Sequence, residues 1–200
     1  MKTNYKGHEL RYDIGTFTIR QYQYLIDLLE IYKPKNIFEL GSGESTKIFD
    51  SYCKNNDANC SSVENDINYV NYNLHNIHYL ILGLNNRFQY DDLNQYISNN
   101  IDLLVIDGPN DILPTNQLGL SHSRIQLLEF VPHLKKNSII MFHDSEYEES
   151  QNTLNEFEHL LNTNNIIFSK EVIKETDYET IIYYERTLNS CPELTVYYLQ

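Results

Sequence analysis

The run from Asn36 to Asp66, NIFELGSGESTKIFDSYCKNNDANCSSVEND, constrains the fold more than any other stretch of the chain. Asn36 to Leu40 is a short apolar strand pattern that carries Glu39 near its end, and Gly41-Ser42-Gly43 follows at once. Ile48, Phe49, Tyr52 and Cys53 then recur at three- and four-residue spacing, the period of a helix with one apolar face. Cys60 to Val63 reads as a second strand, and it delivers Glu64. Strand, glycine turn, helix, strand and acid make a βαβ unit of the nucleotide-binding kind. Gly41 and Gly43 allow a tight turn and leave room for a ligand against the main chain. Glu64 lies 21 residues beyond Gly43, where such units place the acid that grips a ribose diol. A carboxylate accepting both hydroxyls makes charge-assisted bonds of about 1.5–3 kcal/mol each.

Two details bear on which nucleotide such a unit takes. The sixth position of a G-x-G-x-x-G fingerprint, where a dinucleotide fold packs a glycine beneath a pyrophosphate, is Thr46 here. Glu39 would repel a diphosphate but suits a ligand with a cationic amino-acid end. E-x-G-x-G followed by a strand that ends in an acid resembles motif I and the acidic loop of class I S-adenosylmethionine-dependent methyltransferases. The string ELGSGEST is similar to that of small bacterial O-methyltransferases acting on sugars and other small molecules. The resemblance implies that Glu39, Gly41, Ser42 and Gly43 hold the methionine end of S-adenosylmethionine, and that Ser45 and Thr46 also bind the cofactor. It implies that Glu64 holds the ribose and that Asn65 also binds the cofactor. The alternative is a glycine turn that only joins a strand to a helix, and two acids at these spacings weigh against it.

The 200 residues suffice for one domain with its own core, and residues 1–200 are read as such. In this reading 1–35 is an N-terminal helical segment and 187–200 a C-terminal tail. No apolar run is long enough to span a bilayer, and the N-terminal stretch MKTNYKGHELRYD lacks the apolar centre of a signal peptide, so a cytoplasmic protein is expected. Three cysteines without a C-x-x-C pair fit a reducing compartment and no zinc site. A net charge of −13, with no basic cluster larger than Lys135-Lys136, disfavours nucleic acid as a substrate.

Along the chain, Thr18 to Tyr32 reads as a helix with Thr18 and Gln21 as its capping box. A helix from Asp66 to about His75, a strand from Ile77 to Leu82 and a short helix around Asp91 to Ser98 follow the βαβ unit. IDLLVIDG, from Ile101 to Gly108, is the strongest strand, apolar enough to be buried on both faces. A loop from Pro109 to His122 leads to a helix from Ser123, capped by Gln126 and kinked by Pro132. Ser138 to His143 is a further strand and Thr153 to Leu161 a helix. Asn165 to Lys174 and Glu179 to Arg186 read as two tightly joined antiparallel strands. The alternation predicts an α/β, doubly wound, Rossmann-like sheet. The resemblance implies seven strands in the order 3-2-1-4-5-7-6, the last antiparallel. The tail, with Leu194, Val196, Tyr197, Tyr198 and Leu199, would then cover the sheet edge or join a homodimer.

Ligands of such folds bind beyond the carboxyl ends of the strands, where this chain sets Glu39, Glu64, Asp107, His143 and Asp144. Acids dominate that rim, which suits a cationic ligand. Asp107-Gly108-Pro109 resembles the D-G-P motif of the family, whose aspartate faces the cofactor amine, the acceptor or a metal; Asp-Gly is also a common turn pair. Two routes remove the acceptor proton. Asp107 and Asp144 hold Mg²⁺ or another divalent metal, or His143 acts as general base. Phe142-His143-Asp144-Ser145 departs from the Asp-Asn or Glu-Asp of metal-dependent relatives, and His143 also reads as a buried histidine bonded to backbone. His122 stands where a D-G-x-H-[ST] histidine would with an insertion. Arg124 either meets an acidic acceptor, as an arginine after D-G-P does in related sequences, or is a first-turn helix residue paired with Glu129 or solvent. Ile112, Leu113 and Leu118 in the long loop form the acceptor-side wall. The expected activity is methyl transfer from S-adenosylmethionine to a small-molecule hydroxyl, with Asp107 and His143 catalytic. An NAD-dependent oxidoreductase and an inactive methyltransferase-fold binding protein are the alternatives.

Overall fold

A computed structural model describes residues 2–11, 16–68, 70, 77–79, 90, 92–97, 99–109, 124–188 and 190–200. The first element is a hairpin, Lys2–Tyr5 (β1) and His8–Arg11 (β2), turned by Lys6 and Gly7 at φ +48° and +86°. Two positive φ values at the centre of a two-residue loop match the right-handed twist of the flanking strands. The N-terminal segment expected to be helical therefore begins with two strands, and the Lys-Gly pair between them is the signal that marked the turn. Ile19–Tyr32 (α1) follows, and both bonds of the Thr18/Gln21 capping box are present.

Asn36–Leu40 (β3), Glu44–Asn56 (α2) and Asn59–Glu64 (β4) form the βαβ unit, with β3 and β4 parallel. Ile77–Tyr79 (β5) and Ile101–Ile106 (β6) come next, with one 3-10 turn, Leu93–Gln95, among the described residues between them. The expected helix from Asp66 to His75 and the loop from Pro109 to His122, with Ile112, Leu113, Leu118 and His122, fall almost wholly outside the described residues. The helix expected from Ser123 is a 3-10 helix, Ile125–His133, with Pro132 inside it. Pro132 cannot donate a main-chain bond, which weakens an α ladder there. Gln126 does not cap it. Its amide accepts from the main-chain nitrogen of Tyr90 and donates to the Tyr90 carbonyl.

Leu134–His143 (β7), Glu148–Thr163 (α3) and Phe168–Ile173 (β8) complete the middle of the chain. Tyr178–Leu188 (α4) is a helix, not the strand expected from its β-branched and aromatic residues. Asp177 decides it, because its carboxylate accepts from the main-chain nitrogen of Thr180 and its carbonyl from that of Ile181. Such a cap satisfies amides that would otherwise be orphaned at a helix start. The antiparallel strand is instead Leu194–Leu199 (β9), inside the segment expected to be a tail. It pairs antiparallel with both β7 and β8.

The sheet runs β5-β4-β3-β6-β7-β9-β8. Strand β6 shows why it is buried on both faces. Leu103 and Val105 join Leu25, Leu29 and Phe49 of α1 and α2, while Leu104 and Ile106 join Leu127, Phe130, Leu154 and Phe157 of the opposite layer. Strand β3 is parallel to both neighbours, and β6 is parallel to β7, so four carboxyl ends share one rim. Leu40 pairs with Val63 and Ile106, and Ile106 with Phe142. One step further, Glu64, Gly41, Asp107 and His143 stand in a row.

Gly41 is what allows that row to close. It lies at φ +87°, and a Cβ placed on it would meet the Asp107 carbonyl carbon and oxygen at 2.8 Å and the Gly108 nitrogen at 2.9 Å. All three atoms are backbone and cannot swing aside. Gly41→Ala is expected to destabilise the protein by at least about 2 kcal/mol, combining left-handed strain with the clash, read as a lowered urea midpoint at unchanged m-value.

Candidate active site

Glu39, Glu64, Asp107, His143 and Asp144 all lie at or within two residues of the carboxyl ends of β3, β4, β6 and β7. Their surroundings differ sharply. Glu39 is fully buried, and its two oxygens accept from Ser45 Oγ (2.6 Å), Thr46 Oγ1 (2.7 Å) and Ser62 Oγ (2.6 Å). Burial outweighs those three donors and pushes its carboxyl up to about 7. Thr46 Oγ1 also accepts from the Gly43 main-chain nitrogen at 2.8 Å, fastening the turn to the first turn of α2. Thr46 thus takes part in the loop where a dinucleotide fold would have a glycine. Glu39, Ser45 and Thr46, which the resemblance assigns to the cofactor, bond to one another here and tie the turn to the sheet.

Glu64 accepts from the Ser42 nitrogen at 2.8 Å on one oxygen, and from the Asn65 and Asp66 nitrogens at 2.7 Å each on the other. Burial raises its pKa against these backbone donors. The acid at the end of β4 is thereby aimed back at the glycine turn. Gly43 differs from Gly41: its φ of −179° is extended, and a Cβ there would meet nothing within 4 Å. No fold constraint keeps this position free of a side chain, and the space above it is open.

His143 is 1% exposed, with its ring 4.7 Å from that of Phe17. Its Nδ1 donates to Asp107 Oδ1 at 2.7 Å and lies 3.4 Å from Asp144 Oδ1. Burial pulls its pKa down, but Asp144 and Asp107 prevail and the net direction is up. With Nδ1 committed, Nε2 is the free position of the ring. Nε2 of His143, Oη of Tyr90 and Oγ of Ser145 are buried without a hydrogen-bond partner among the described residues. Tyr90 Oη lies 2.6 Å from where a Gly108 Cβ would be, so it too sits at this rim. Buried polar atoms left open are rare in folded proteins, and here they gather where a ligand or ordered water would complete them.

Arg124 is the residue whose role the sequence did not reveal. Instead of facing Glu129, solvent or an acceptor, it is 1% exposed. Nη1 donates to the carbonyls of Ile106 (3.0 Å) and His143 (2.9 Å) and lies 3.4 Å from Asp107 Oδ1, while Nη2 donates to Asp144 Oδ2 at 2.5 Å. Ligand atoms of Asp107, His143 and Asp144 come within 4.8 Å of one another, close enough for one metal ion. The two carboxylates expected to hold that ion already share a guanidinium, and Nδ1 of the histidine is turned onto Asp107. The donor set does not fit a divalent metal.

No protein-family model and no curated relative matches the sequence. Solved structures share the fold. The O-methyltransferase from Bacillus cereus in complex with SAH aligns at a TM-score of 0.60 and 11% identity, over 94% of this chain and 84% of that one. An assigned O-methyltransferase from Klebsiella pneumoniae gives 0.59 at 10% identity, over 94% and 83%. An assigned caffeoyl-CoA O-methyltransferase from Staphylococcus aureus gives 0.56 at 12%, over 92% and 85%. The chain has the Rossmann-like α/β fold of these methyltransferases. Among the described residues, no helix is long and apolar enough to cross a membrane.

The buried acid sets a pH dependence. Folded Glu39 keeps its proton to about 7, whereas the unfolded chain releases it near 4.5. Between those values the folded state holds the extra proton, so the stabilisation is complete below 4.5 and is lost as pH rises towards 7. The loss amounts to about 3 kcal/mol. The raised His143 acts in the same direction above 6.5. Urea midpoints are expected to fall from pH 4.5 to 7, and Glu39→Gln to flatten most of that decline.

Proposed function

We propose that the chain is an S-adenosylmethionine-dependent methyltransferase acting on a hydroxyl of a small molecule. The observation that carries this is the open space over Gly43, in a glycine turn whose Ser42 nitrogen donates to Glu64, on the same rim as the His143–Asp107 pair. The shared fold of SAH-bound structures supports it, as does the sheet order. The Gly41–Gly43 backbone, Glu64, Asn65 and Asp107 would hold the cofactor, and Glu39 would act by fixing the loop. When bound, S-adenosylmethionine supplies a methyl group already activated on its sulfonium, so placement and a proton route are what the protein must add.

His143 supplies that route. Asp107 holds Nδ1–H, which leaves the Nε2 lone pair to take the proton from an acceptor hydroxyl as the methyl arrives. The raised pKa makes the ring a better proton acceptor at neutral pH than a free histidine. Phe17, its ring tilted 45° against the imidazole, helps keep water from it. A cleft of about 200 Å³ between the hairpin turn and α2 is lined by His8, Glu9, Tyr22, Glu44 and Lys47, Glu44 being next to Gly43 in the chain. Its mixed charges suit a polar, hydroxylated acceptor. The net charge of −13 weighs against nucleic acid in that place.

Thermal melting with added ligand tests the reading. At a hundredfold excess over its dissociation constant, S-adenosylhomocysteine is expected to raise the midpoint by roughly 5–10 °C, and NAD to leave it unmoved. The reverse result would reject the methyltransferase and favour an oxidoreductase. Gly43→Val is expected to keep stability within about 1 kcal/mol while abolishing the S-adenosylhomocysteine shift. A Val variant that still binds would mean that the cofactor does not pass over this position.

A further inference from the structure

We propose that the Arg124 guanidinium takes the position of a divalent cation between Asp107 and Asp144, so that the site is metal-independent and becomes metal-binding when Arg124 is removed. The inference concerns the same rim as the methyltransferase reading, but it rests on the ionic geometry alone.

Asp107 and Asp144 end adjacent parallel strands, and two carboxylates so close need a cation. A metal would meet them with water completing its shell. Arg124 meets them dry, Nη2 at 2.5 Å from Asp144 Oδ2 and Nη1 at 3.4 Å from Asp107 Oδ1. It also donates to the end carbonyls of β6 and β7 at Ile106 and His143. Those carbonyls would repel a metal-free pair of acids still further. The backbone is bent to make the arrangement: Arg124 and Asp144 both adopt left-handed φ values, +46° and +55°, although neither is glycine. Such conformations persist where surrounding contacts over-determine them. A guanidinium does not lose its proton in proteins and does not exchange with solvent ions, so the charge at this position is permanent. Asp107 remains shared between Arg124 and His143, and Arg124 is a positioning residue that holds Asp107 where it orients the ring.

Removing the guanidinium leaves Asp107, His143 and Asp144 with ligand atoms within 4.8 Å of one another and an empty cation position. Two carboxylates and an imidazole suit Mn²⁺, which accepts both oxygen and nitrogen donors. The experiment titrates the full chain with MnCl₂, read by paramagnetic resonance of the free ion and by melting temperature. Wild type is expected to show no saturable site and no shift. Arg124→Ala is expected to bind Mn²⁺ at least about tenfold tighter than wild type and to melt higher with it, and Asp144→Asn in that background to remove both effects. Arg124→Gln, which keeps an amide donor for the strand-end carbonyls, serves if the alanine variant does not fold, with the same expectation. Saturable Mn²⁺ binding by wild type that Asp144→Asn abolishes would overturn the proposal. A folded alanine or glutamine variant that gains no site would overturn it equally. Neither readout requires methyl transfer, so a failure here is separate from a failure to bind S-adenosylhomocysteine.

Discussion

The whole rim depends on a carboxylate that never touches water. Glu39 sits inside the sheet at the end of β3, and three hydroxyls from α2 and β4 converge on it. An isolated buried carboxylate is costly, and its hydrogen bonds are what make it tolerable. Because Ser45 and Thr46 belong to the first turn of α2 and Ser62 to β4, one side chain fixes a strand, a helix start and a neighbouring strand relative to each other. The glycine turn lies across the top of that knot. Its shape is therefore set from below, by side chains, before any ligand arrives, and a preorganised backbone has less to lose on binding.

The sequence disclosed the βαβ unit because two periods and two glycines agree there. Thr18 and Gln21 disclosed α1 in the same way, since a capping box is local chemistry. What stayed hidden depended on distance. Glu39 was legible as an acid at a strand end, but whether it faces a ligand or three hydroxyls depends on Ser62, 23 residues away. Arg124 was read as a helix-start residue, yet its partners are on two strands that only the folded sheet brings together. Strand propensity misplaced the end of the chain. Ile181, Ile182, Tyr183 and Tyr184 look like a strand until the Asp177 cap and the buried Tyr184 are considered together. Leu194–Leu199 has equally strong strand character, and only the gap beside β7 identifies it as the one that pairs.

Charge at the rim is distributed unevenly, and the unevenness divides the work. On the β4 side, Glu64 is surrounded by main-chain nitrogens, a neutral setting in which a hydroxyl can compete for its oxygens. On the β7 side, two acids, one guanidinium and one imidazole are joined by ion pairs and hydrogen bonds. Gly41, pressed against Asp107 and Gly108, is the narrow point between the two halves. A carboxylate held by main-chain nitrogens and an ionic cluster thus stand on opposite sides of one glycine.

The strand order has a consequence for how the protein is made. β9 lies between β7 and β8 in space but follows both in the chain. During synthesis β7 emerges with one side of its ladder open, and β8 follows with no partner at all. Neither can close until Leu194–Leu199 has left the ribosome and slipped between them. Until then two unpaired edges face solvent, the condition under which nascent sheets recruit other chains. The outer strand is written for that interval: Ser169, Lys170 and Glu171 are exposed along it, polar and charged where an apolar edge would invite a neighbour.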